Sequence, residues 1–116
     1  MRRTPACVAA AGLAVALATA AAAAVPTLNE CLEGSDFVAN AARSRDNGLP
    51  RASFLERLEA DLAAIRAFPP ELRWFARDED AERFLAGAAA RVFDVPQAPE
   101  RHRAEFLAAC LDRGAA

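Results

Sequence analysis

Past residue 24 the chain holds just two cysteines, Cys31 and Cys110, near the two ends of what remains. A bond between them would close a loop across 79 positions. Any fold that forms it must bring its own start and finish together. On the chain-entropy account such a bond contributes roughly 4–5 kcal/mol, comparable to the whole net stability of a marginal domain.

Residues 1–24 read as a signal for export. Arg2 and Arg3 give the positive start, Ala6 to Leu17 an apolar run, and Ala20 to Ala24 several Ala-x-Ala cleavage choices. Cleavage is expected after Ala24, near Val25. Lipid attachment at Cys31 fails because Glu30 precedes it, where a small residue is needed. The alternative, a retained anchor, has the length to span a bilayer at about 20 residues but is mostly alanine. Export places the chain in the periplasm or outside the cell, where disulfides persist. Cys7 leaves with the signal, so no odd thiol is expected, and membrane contact is expected only during export.

The remaining segment, 25–116, reads as one helical domain. Without Arg2 and Arg3, 12 arginines face 16 carboxylates, a net charge of −4. That balance argues against nucleic acid as a partner, since a phosphate-binding surface needs cationic excess.

Four helices can be read and no strand. Thr27-Leu28-Asn29-Glu30 is a capping box, followed by apolar residues at helical spacing from Leu28 to Ala42 and a stop near Gly48. The second helix starts at Pro50, carries Phe54, Leu55, Leu58, Leu62 and Ile65, and stops at Phe68-Pro69-Pro70. A short turn over 70–75 leads to a third helix, opened by Asp78, Glu79 and Asp80 and closed by Asp94-Val95-Pro96. In it Gly87 and the alanines 86–90 predict a thin side that a neighbour can approach closely. The fourth runs from Pro99 to Gly114. Cys31 falls in the first turn of the first helix and Cys110 in the last turn of the fourth. Those ends meet only after an even number of crossings, so the expected fold is all-α, a small antiparallel four-helix bundle closed by one disulfide.

The run Ala41 to Gly48, with its Arg45-Asp46-x-Gly48 helix end, is followed by Val92-Phe93, Pro96, Pro99 and Phe106-x-x-x-Cys110. Together these resemble small exported bacterial proteins with two cysteines and a helical fold, a group without a characterised function. The resemblance implies the helical fold and the disulfide, and no activity.

Chemistry-bearing candidates are few. His102, the sole histidine, has no readable nucleophile beside it and reads as a residue at the rim of the core. With no second histidine and both cysteines oxidised, a metal site is not expected, and no cofactor is. Asp78, Glu79, Asp80 and Glu82 lack the spacing of a calcium loop and read as helix-start charge. Arg45 is assigned a structural role. The strongest candidate is the irregular stretch Phe68-Pro-Pro-Glu-Leu-Arg73-Trp74-Phe75, because aromatic residues and arginine dominate binding hot spots. Phe68, Arg73, Trp74 and Phe75 are therefore the expected binding residues, against the alternative of a hydrophobic plug at one end of the bundle. The expected function is a non-enzymatic interaction module docking on another envelope or secreted protein. The alternatives are a small-ligand carrier with a pocket between helices near Gly87, and a small hydrolase using His102 or carboxylates.

Overall fold

Four α-helices and one short 3-10 turn make up a computed structural model that describes Gly12 and residues 25–114. The export signal read at 1–24 lies outside the described residues, Gly12 apart. The helices are α1 (Leu28–Asp46), α2 (Arg51–Ile65), α3 (Glu79–Asp94) and α4 (Pro99–Arg113), with the 3-10 turn at Pro70–Leu72 between α2 and α3. No strand occurs among the described residues.

Local chemistry sets most boundaries. Thr27 Oγ1 accepts from the Glu30 amide at 3.1 Å while Glu30 Oε1 accepts from the Thr27 amide at 3.0 Å, a reciprocal cap that satisfies two exposed donors. Asp78 Oδ1 caps α3 by accepting from the Ala81 amide at 2.8 Å. Pro99 opens α4 at a position where its missing N–H costs nothing. Pro50 stands one residue ahead of α2 and not at its first helical position. Between α1 and α2 the chain reverses at Gly48, whose φ of 94° lies in the left-handed region that glycine alone enters freely.

Ion pairs report how the helices run. Arg43 near the end of α1 meets Glu100 at the start of α4, and the Cys31–Cys110 disulfide joins their opposite ends with 5.6 Å between Cα atoms. Arg51 at the start of α2 meets Asp94 at the end of α3, and Arg66 just past α2 meets Glu82 early in α3. Arg77, just before α3, meets Glu30 in the first turn of α1. Successive helices are thus antiparallel, and the disulfide end also carries the connection from α2 to α3. The exposed pairs contribute little energy each; they mark direction.

Helix α1 is the hub. It packs along α4 most extensively and along α3 less so, while α2 rests on α3, and α3 and α4 approach each other little along their backbones. The core comprises Val38, Leu58, Leu62, Phe75, Leu85, Val92 and Phe106 with the disulfide and a set of alanines. Each large side chain so buried contributes about 1.5–3 kcal/mol of transfer free energy. Seven of the eight aromatic rings form one continuous chain. It runs Phe93–Phe54–Phe37–Trp74–Phe75 and then reaches Phe84 and Phe106, with centroids 5.2–6.1 Å apart. Such offset contacts add to burial. Phe68 alone stands outside it.

Candidate functional site: a cleft between α3 and α4

The four residues expected to bind a partner divide in the structure. Phe75 is 2% exposed and sits in the core, so it is a plug and presents no surface. Trp74 is half-buried, its ring edge-on to Phe37 at 5.9 Å. Its φ of 54° is an outlier for a bulky residue. Arg73 is turned onto its own loop, Nε donating to the Phe68 carbonyl at 2.7 Å and Nη2 to the Arg66 carbonyl at 3.2 Å. Phe68 remains open at 54% exposure, beside Leu72 at 67%. Sequence reasoning passed over Leu72. Its signal was an apolar residue inside a proline-started turn, too short to hide it.

The acidic stretch does not converge. Asp78 caps α3, Glu79 and Asp80 pair with Arg83, and Glu82 pairs with Arg66. Among the described residues no group of three or more histidine, cysteine or acidic side chains is placed to hold a metal ion, and no described helix is long and apolar enough to cross a membrane.

Arg45 fastens three elements. Its Nη1 donates to the Val92 carbonyl at 2.7 Å, its Nη2 to the Gln97 carbonyl at 2.7 Å, and both Nε and Nη2 reach Asp46 Oδ1. A planar fork satisfies two carbonyls at the end of α3 and in the turn beyond it, which is work suited to guanidinium. His102 completes the set and is more than a rim residue. It is 4% exposed, and its Nε2 lies 3.1 Å from the Gln97 amide and 3.2 Å from Arg45 Nη1. Both neighbours are donors, so Nε2 accepts and the proton sits on Nδ1. Burial first, then the Arg45 guanidinium, push the His102 pKa below the ordinary 6.5.

Gly87 corrects part of one sequence expectation. Beyond its own helix backbone no atom stands within 4 Å of where its Cβ would be, although Ala89 in the same stretch is fully buried in the core. The open space is a cleft of about 440 Å³ between α3 and α4. Its floor is Val38 of α1 with Val92, and Gly87 and Ala88 form part of the α3 wall. At the disulfide end the Phe84 and Phe106 rings, 5.2 Å apart, close the gap between the helices. At the other end His102 and the Arg45 network close it. The charged lining is Arg83 and Arg91 on α3 and Glu105 on α4. The helices are therefore pinned at both ends and apart in the middle. The volume lies within the range of small-molecule sites, about 300–1,000 Å³, and so does the pattern of an apolar floor with few polar groups.

No protein family matches the chain, and neither curated proteins nor solved structures include a match.

Proposed function

We propose that this is an exported, non-catalytic binding protein that carries a small apolar ligand in the α3–α4 cleft. The observation that carries the reading is the open, apolar space at Gly87 between two helices bridged at both ends and apart in the middle. An open apolar cleft leaves side chains such as Phe84 and Ala88 partly in contact with water, and occupation by an apolar ligand would remove that surface from it. The state of His102 favours a carrier over a hydrolase, since the Nε2 lone pair that a general base would use already accepts from the Gln97 amide. Export to the periplasm or exterior remains part of the proposal, supported by the disulfide and the leader composition.

A titration of the oxidised protein with a neutral apolar probe, N-phenyl-1-naphthylamine, followed by amide chemical shifts, tests the site. Shifts should concentrate in 83–92 of α3 and 102–109 of α4. Shifts confined to the 66–78 connection, or none, would count against the cleft.

A second reading has its own observation. Val25, Leu28, Phe68 and Leu72 are exposed apolar residues, the first two around the start of α1 and the last two in the connection from α2 to α3, and would give a protein partner from the envelope or exterior hydrophobic anchors. Retention of one envelope protein by the parent but not by a Phe68→Ser, Leu72→Ser variant would support this docking surface. Equal retention by both would remove it.

A further inference from the structure

We infer that the ligand of the cleft is a monoanionic amphiphile, with a hydrocarbon chain over the Val38–Val92 floor and a carboxylate, or a group of like charge, at Arg91. The inference rests on the cleft reading and adds the chemistry of the headgroup. The protein as a whole is acidic, with a formal net charge of −2, yet the charged lining of the cleft is two arginines and one glutamate. The two arginines are not equivalent. Arg83 is engaged by carboxylates of its own helix, Asp80 at 3.3 Å and Glu79 at 3.6 Å. Arg91 has one ion-pair contact, to Glu105 across the cleft, at 3.8 Å. Glu105 is in turn shared with Arg101 at 3.5 Å and with Gln97 Nε2 at 3.5 Å. Two guanidinium groups thus divide a single carboxylate at long range, which leaves a cationic excess at this lip. A guanidinium prefers two parallel short bonds to one carboxylate, and Arg91 has room for that partner.

Beneath Arg91 the cleft is lined by His102, more than nine-tenths buried, whose Nε2 accepts from the Gln97 amide. The opposite end of the cleft holds the Phe84 and Phe106 rings, with the Arg113 guanidinium 4.5 Å over the Phe84 ring. With the headgroup at Arg91, the chain would run over the Val38–Val92 floor from the α3–α4 turn toward the disulfide.

The test compares three probes of one chain length, octanoate, octan-1-ol and octylammonium, on the oxidised protein and on Arg91→Gln. Arg91 is exposed at the lip, so this change leaves the core untouched. Octanoate should bind roughly fivefold or more tighter than octan-1-ol, a charged hydrogen bond discounted for partial exposure, and octylammonium weakest. The octanoate preference should shrink as salt is raised and vanish in Arg91→Gln with octan-1-ol affinity unchanged. Equal binding of all three would overturn the headgroup assignment while leaving the cleft as an apolar site. A preference that survives in Arg91→Gln would overturn the role of Arg91. Failure of every probe to bind would overturn both the headgroup and the cleft.

Discussion

The Phe106 ring of α4 occupies the space where a side chain on Gly34 of α1 would begin: a Cβ there would stand 2.5 Å from Cε1 and 2.6 Å from Cζ. The missing side chain lets α4 lie close on α1, beside the disulfide that joins the same two helices. Gly34 thus works against helix propensity locally and for packing globally. Gly87 is the reverse case, a helical glycine with nothing against it.

That contrast gives opposite signs to one substitution. Gly34→Ala should destabilise by about 1–2 kcal/mol, the overpacking cost less the propensity gained. Gly87→Ala should stabilise by about 0.5–1 kcal/mol. Thermal unfolding resolves both, at roughly 4–8 °C per kcal/mol for a domain of this size. A Gly34→Ala protein that melts no lower than the parent would show that Phe106 does not pin α4 to α1.

Arg45 should not be replaceable by lysine. The guanidinium holds the carbonyls of Val92 and Gln97 together while its side chain is 14% exposed. Lysine keeps the charge but not the fork. Arg45→Lys and Arg45→Ala are both expected to lose roughly 2–4 kcal/mol in denaturant unfolding, because partly buried carbonyls lose charged donors. Full stability in Arg45→Lys would mean that charge alone suffices.

The acid side of the stability profile follows from His102. The groups facing it are Arg45 and Asp46 from α1, Arg91 from α3, Glu105 on its own helix and the Gln97 amide. Its pKa is lowered on folding, so the unfolded chain binds the proton more readily. The stabilisation from the neutral ring is complete above 6.5, declines as pH falls below that value, and is lost through the lowered folded pKa. As His102 is the chain's one histidine, its ring resonances report this directly. A midpoint below 6.5 is expected; one above it would contradict the burial of a neutral, accepting Nε2.

What could be read from the sequence was local or topological. The Thr27–Glu30 box works over three residues, and its partners adjoin in any helix. The two cysteines fixed the parity of the helices without any knowledge of packing. What could not be read depends on which neighbour fills which space. Gly34 and Gly87 look alike as helical glycines, and only the position of Phe106 separates them. Phe75 and Phe68 flank one short loop with the same residue type, yet one joins the aromatic chain and the other faces water. Arg45 was readable as structural, but its partners are carbonyls 47 and 52 positions away, and backbone acceptors leave no mark in side-chain identity. The cleft itself is a spacing between helices, foreshadowed only by small residues that equally suit tight packing.

Gly87→Leu separates the cleft from the fold most directly. The new side chain would enter open space, and leucine is about 1 kcal/mol better than glycine inside a helix, so the protein should melt at or above the parent temperature. Binding of N-phenyl-1-naphthylamine to this variant, measured by fluorescence titration beside the parent, should be abolished while stability is kept. A Gly87→Leu protein that binds the probe as tightly as the parent would contradict a ligand site between α3 and α4.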